Sequence, residues 1–286
     1  MNFTMYTNWC RSVKTDGIER AAVYAKSLGF SSVEFFDFIG DNWESVIPDV
    51  ATAKHFRSVL EAKGLHTACY SVAVCLYDPT SPDGINASAE FQMMKYAEYA
   101  AALGSPFLHH TVTLSIDEAP LPYHEMLKTV LPSVVRIAKY AASLGVRCIY
   151  EDQGMYFNGV DGFGEFYRTV KAQEPTVGIC GDIGNMLFVD ESPVAFFEAY
   201  AKEFVHVHIK DYTDCKMGDV GACVTRGGRV IRDAVIGKGF IDIVTCLNIL
   251  KSSGYTGAIA LENCHPEDYE MGVRAATELI CHTMNA

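Results

Sequence analysis

The chain predicts an α/β fold, a single parallel (β/α)8 barrel built from its 286 residues, on three observations. Eight short apolar or β-branched runs recur along it, amphipathic stretches closing on glycine separate them, and four of the later runs end in a carboxylate or an imidazole. Parallel strands covered on both faces read as continuous apolar stretches rather than alternating ones. Strand–helix–strand crossovers are right-handed, and eight of them close a sheet in one domain of about 250 residues.

In order, the predicted strands are FTMYTNW (3–9), SSVEFFDF (31–38), HTACYSVAV (66–74), PFLHHTVT (106–113), RCIYED (147–152), VGICGDIG (177–184), FVHVHIKD (204–211) and GAIALEN (257–263). The first helix is typical of those between them: over 16–30, Ile18, Ala21, Ala22, Ala25 and Leu28 fall on one face and Gly29 closes it. Comparable patterns cover 49–65, 88–104 and 132–146, each ending at a glycine suited to a helix C-terminus. The stretch from Tyr212 to Gly239 has no clean period and exceeds the usual strand-to-helix connection, so it is expected to be a long active-site loop after the seventh strand.

The bulk composition narrows the partners. With 49% hydrophobic and 20% charged residues the chain has little room for disorder. A formal net charge of −12 without a basic run repels phosphate backbones, which disfavours nucleic acid and leaves a small molecule as partner. The ten cysteines form no CxxC pair, and several sit inside predicted strands as small apolar residues, which fits a reducing, cytoplasmic setting. No signal segment and no membrane span is expected.

Glu151, Asp182, His208 and Glu262 end four consecutive predicted strands. Parallel strands bring their C-terminal ends to one rim, so these groups are expected to converge on a divalent metal in an open site. Each acidic residue alone would more often be a helix N-cap; the set of four reverses that reading. Oxygen and imidazole donors without thiolate suit Mn²⁺ first, then Mg²⁺ or Co²⁺, and zinc also accepts them. His206 and His208 share one strand face, and His208, nearer the rim, is assigned as the ligand. His206 is left to a hydrogen bond behind the metal or to substrate. Of the other residues near the rim, Tyr6, Trp9, Glu34, His109, His110 and Asn263, Trp9 and Glu34 are expected to line the pocket and His109 to be a satisfied core histidine.

The group ED, GDIGN, HVHIKD and LEN, with GKGFID at 237–242, resembles the sugar-phosphate isomerase/epimerase superfamily of xylose isomerase-like TIM barrels. The resemblance covers nearly the whole chain. It implies metal ligands at Glu151, Asp182, His208 and Glu262, and acid/base roles for Glu151 and Glu262 on opposite faces of a ketose or ketose phosphate. It also implies a homo-oligomer. A proton beside a ketone is too weakly acidic for a carboxylate at neutral pH unless a Lewis acid stabilises the enediolate, which is why this chemistry joins a metal to two glutamates.

Three positions depart from the free-ketose 3-epimerases: Asn185 stands where their Asp-x-x-His motif has histidine, Asp214 where they carry a substrate-binding arginine, and Phe157 where they carry glutamate. Asn185 keeps hydrogen-bonding capacity but no charge. The DIGN and HIKD forms look more like members acting on sugar phosphates or on acidic or cyclic polyols, with Lys210 and the loop arginines Arg226, Arg229 and Arg232 available to an anionic group. The leading expectation is a metal-dependent isomerase or epimerase. The alternatives are a dehydratase of a keto-polyol such as an inosose, a non-catalytic sugar-binding barrel, and a phosphodiesterase like the DNA-repair endonuclease barrel, which the acidic charge disfavours.

Overall fold

The computed structural model describes residues 1–40, 43–113, 121–262 and 269–285. Seven barrel strands come first: β1 (Asn2–Met5), β2 (Ser32–Phe38), β3 (His66–Ala73), β4 (Phe107–His110), β5 (Arg147–Glu151), β6 (Gly178–Asp182) and β7 (Phe204–Ile209). Then β8 (Asp211–Asp214), β9 (Cys223–Val224) and β10 (Val230–Ala234) form a separate three-stranded sheet, before β11 (Ala258–Leu261) completes the barrel. The barrel closes in the order β1-β11-β7-β6-β5-β4-β3-β2, and each of its pairings is parallel. All eight predicted runs are therefore barrel strands.

The helices are α1 (Trp9–Asp16), α2 (Ile18–Ser27), α3 (Val50–Ala62), α4 (Ala87–Leu103), α5 (Tyr123–Ser143), α6 (Val160–Lys171), α7 (Pro193–Tyr200), α8 (Ile243–Ser252) and α9 (Tyr269–Asn285). Their starts are fixed locally: Asp49, Asn86 and Asp242 each accept the backbone N–H three residues on. Gly104 and Gly145 adopt φ of 72° and 78° just past α4 and α5, a left-handed turn that a side chain would strain.

Three expectations change. The first strand stops at Met5 and Trp9 opens α1, because its indole turns outward to pack edge-on against Phe35. The helix expected from Pro132 begins nine residues earlier at Tyr123, with Pro132 inside it; the buried face of Met126, Leu127 and Val130 outweighs the hydrogen bond that proline removes. The stretch 212–239 is no open loop but carries most of the β8-β10-β9 sheet, with Arg232 paired to Thr213 and Val230 to Val224. Asp211 holds its far end: the carboxylate accepts the backbone N–H groups of Gly237, Gly239 and Ile241 at 3.0, 2.8 and 3.2 Å, which accounts for the GKGFID segment.

Inside the barrel, Cys69, Ile149 and Cys180 form an apolar floor. Two register shifts, at Val33/Glu34 in the β2–β3 pair and at Ile179/Cys180 in the β6–β7 pair, set Glu34 opposite Cys69 and Asp182 opposite His208. Such irregularities commonly re-aim side chains beside functional sites. A layer of buried polar groups results: Glu34, Ser71, His109, Glu151, Asp182, His206 and His208.

Candidate metal centre and its cavity

Glu151 ends β5, Asp182 ends β6, His208 lies near the end of β7, and Glu262 follows β11. His208 is the hub, with Nδ1 at 2.8 Å from Glu151 Oε1 and 3.9 Å from Glu262 Oε2. Its Nε2 faces the Glu34 carboxylate at 3.1 and 3.2 Å. Asp182 Oδ1 accepts the backbone N–H groups of Gly184 and Asn185 at 2.7 and 2.8 Å, leaving Oδ2 turned to Lys210 Nζ at 3.1 Å. The same ammonium lies 3.1 Å from Glu262 Oε2.

Burial and charge pull these groups apart. Burial alone would raise the Glu34 carboxyl, but the imidazoles of His208 and His206 outweigh it and hold the group well below its ordinary range. Burial likewise raises Glu151, but the charge and hydrogen bond of His208, together with His109 and Lys210, lower it to about 2. Asp182 moves the other way, to about 7, because burial dominates and Glu151 and Glu262 add repulsion against the pull of Lys210. Burial opposes the charge on Lys210, yet Asp182 and Glu262 raise its pKa well above the ordinary value. Asp182, Glu262 and Glu151 all act on Lys210, and their negative charge favours a cation at this place.

The donor set fits a hard or borderline divalent ion. One oxygen from each of Glu151 and Asp182 and one nitrogen of His208 lie within 4.8 Å of one another, and the buried Asp182 Oδ2 has the Lys210 ammonium at 3.1 Å as its ion-pair partner. Two deeper groups draw on Cys180 or Cys69 with His206. Burial raises both thiols, which keeps them protonated and poor ligands beside the oxygen set.

A cavity of about 510 Å³ opens above this layer, walled by Tyr6, Phe36, Ala73, Phe188 and Tyr212 and carrying Asn8, Arg11, Gln153, Asn185, Lys210 and Glu262 as polar groups. Tyr6 stacks on the His208 ring with centroids 4.8 Å apart, so an aromatic face covers the metal-ligand layer. Asn185 donates its backbone N–H to Asp182 and leaves its side-chain Nδ2 buried without a partner at the cavity wall. Lys210 and Asn185 both line the cavity.

Other expected pocket residues lie elsewhere. Trp9 is fully buried against Phe35 in the shell outside the strands and does not line the cavity. Glu34 and His206 are fully buried beneath the ligands, joined through Oε2 and Nε2 at 2.7 Å, so they support the layer rather than line the cavity. Arg229 is clamped by Asp214 at 2.7 and 3.0 Å and lies over the Phe240 ring. Arg226 donates to the Met155 carbonyl. Neither arginine lines the cavity, because each is spent on holding the small sheet. Phe157 is buried against Tyr123 and Phe166. His109 is buried with Nδ1 3.0 Å from Ser71, but its Nε2 has no hydrogen-bond partner and faces Glu151 Oε2 at 3.7 Å, so it is a member of the buried polar layer and not the satisfied core histidine expected. Asn263 lies outside the described residues.

Sequence reasoning missed Arg11, Gln153, Phe36, Phe188 and Tyr212. Asn8 carried a faint signal: it holds φ of 67° at the start of α1, a conformation asparagine tolerates best among residues with a side chain.

The description of xylose isomerase-like TIM barrels matches residues 22–281. The chain belongs to that family. Among curated proteins, an inosose dehydratase of Clostridium tetani is 25% identical over 154 residues, covering 51% of this chain and 50% of that protein. The match thus spans about half the length of that relative. Among solved structures, a D-allulose 3-epimerase from Methylomonas sp. superposes with a TM-score of 0.74 at 17% identity, covering 99% and 98% of the two chains. An IOLI protein with a bound zinc atom does so at 0.74 and 15%, covering 100% and 98%. At these identities the structures speak for the fold. Among the described residues no helix is long and apolar enough to cross a membrane.

Proposed function

We propose that this protein is a metal-dependent isomerase or epimerase of a sugar, sugar phosphate or related polyol, working by proton transfer at a carbon beside a carbonyl. The observation that carries the reading is the convergence of Glu151, Asp182, His208 and Glu262 at the base of an open, aromatic-walled cavity. Those four residues would hold the ion, with Mn²⁺ favoured by their oxygen-rich donor set. When bound, a divalent ion supplies Lewis-acid stabilisation of the negative charge that grows on substrate oxygens.

The chain's own residues then divide the work. Glu262 opens on the cavity and is the group placed to take a proton from substrate. Glu151 lies deeper, held by His208, and serves as the second carboxyl for proton return. A single face handling the proton gives isomerisation; both faces give epimerisation. Glu34 fixes the His208 ring by taking Nε2, which leaves Nδ1 directed at the ligand set. Asn185 Nδ2 and Gln153 offer polar contacts to substrate hydroxyls, Lys210 and Arg11 offer positive charge to an acidic substituent, and Tyr6 and Phe36 exclude water.

A second reading, dehydration of a keto-polyol, is favoured by the match to an inosose dehydratase. It shares the first step, removal of a proton beside a carbonyl, and differs in expelling a β-hydroxyl. Incubation of Mn²⁺-loaded protein in D₂O with ketoses, their phosphates and inososes, followed by NMR, tests both. Deuterium in recovered or epimerised sugar supports the first reading, and loss of water to an unsaturated ketone supports the second. Chelation should stop either reaction and Mn²⁺ restore it. A fully loaded protein that exchanges no carbon-bound proton of any of these compounds refutes the proposal.

A further inference from the structure

One cation already sits among the carboxylates. Lys210 Nζ bridges Asp182 Oδ2 and Glu262 Oε2, each at 3.1 Å, so a single ammonium holds two of the four residues proposed to bind metal. The bridge is built in. Lys210 is 6% exposed and directly follows β7, two positions beyond His208. Its stem passes through a gap left by a missing side chain: a Cβ on Gly184 would lie 2.9 Å from Lys210 Cγ and 2.8 Å from the Tyr212 ring. Among the described residues no other lysine or arginine pairs with Asp182 or Glu262.

An ammonium and a divalent ion cannot both take the same carboxylate oxygens in a buried site, because like charges a few ångströms apart, screened by little water, repel strongly. We propose that Lys210 is a resident counter-cation that the metal must displace from Asp182 and Glu262. The site is then a cation exchanger rather than an open cage. In the metal-free protein Lys210 keeps the two carboxylates apart and in place; when metal binds, the ammonium is released to the cavity it already lines. The inference rests on the metal centre of the proposed function and adds that this centre binds metal more weakly than its donors alone would allow. If the bridged arrangement holds about nine-tenths of the metal-free molecules, the apparent affinity is lowered about tenfold.

The test is calorimetric titration of chelator-stripped protein with Mn²⁺, comparing wild type with Lys210→Met and Lys210→Gln. Both variants should bind Mn²⁺ about tenfold tighter or more. A merely supportive lysine moves the same measurement the other way. Equal or weaker binding by both variants, with wild type binding normally, overturns the counter-cation and leaves the metal centre standing. No binding by any of the three overturns both. A second measurement needs no variant: in wild type the ¹⁵Nζ resonance of Lys210, assigned through its side-chain carbons, should shift when the protein is saturated with diamagnetic Zn²⁺. An unmoved resonance at saturation overturns the exchange.

Discussion

Replacing Glu34 separates the support of the site from the site itself. Its carboxylate is fully buried and meets three partners: His206 Nε2 at 2.7 Å, His208 Nε2 at 3.1 Å and Ser71 Oγ at 2.5 Å. Glu34→Ala strands two imidazole nitrogens in a layer where water is scarce, while the Ser71 hydroxyl keeps His109 Nδ1 at 3.0 Å. Breaking one side of a buried ionic cluster costs about 3–5 kcal/mol, taken as one figure for the cluster because the separate losses are not additive. The change also frees the His208 ring to turn, and removing a carboxylate behind a ligating histidine typically weakens metal binding about 10–100-fold. Glu34→Gln keeps the volume but turns an NH₂ toward one of these donors, so it should fall between wild type and alanine. Urea unfolding gives the stability and Mn²⁺ calorimetry the affinity. Glu34→Ala with wild-type Mn²⁺ affinity would show that His208 needs no partner at Nε2, and the account of the buried layer would fail.

Other expectations follow the same geometry. Glu262→Gln should lower proton exchange into substrate about 10²–10⁴-fold, the usual range for loss of a general base, and near-normal exchange rates in D₂O would remove Glu262 from its role. His110 is buried with Nδ1 2.7 Å from the Thr111 carbonyl, and burial lowers its pKa to about 4. The fold therefore holds it neutral: its contribution is complete above about pH 6.5 and is lost as the unfolded chain takes up a proton on the way down to about 4. That loss is on the order of 3 kcal/mol, so the stability gap between wild type and His110→Asn should change by that amount between pH 7 and 4; a gap independent of pH contradicts it. Gly184→Ala should destabilise by about 1–3 kcal/mol through overpacking against Lys210 and Tyr212, read as a lowered urea midpoint at unchanged slope. Asp211→Ala leaves the N–H groups of Gly237, Gly239 and Ile241 without their acceptor. It should speed backbone hydrogen exchange across 237–241 first, and exchange unchanged there would show the loop to be held by other means.

The barrel and the four strand-ending groups were legible in the chain because both depend on local order. An apolar run of strand length followed by a helix and a glycine repeats along the sequence, and residues at the C-terminal ends of parallel strands share a rim whatever else the fold does. Strand parity likewise put Lys210 beside His208, and its side chain lines the cavity. Local order erred where a residue's partner lies far away in sequence. Trp9 is in the outer shell because Phe35 receives it there, and Arg229 is taken by Asp214 across the small sheet. Glu34 and His206 are 172 positions apart yet share a hydrogen bond under the metal ligands. A run of letters fixes which groups a chain owns and on which end of a strand they stand. Only barrel closure decides which charges meet, and therefore that a lysine two residues beyond the histidine ends up between two carboxylates where an ion is expected.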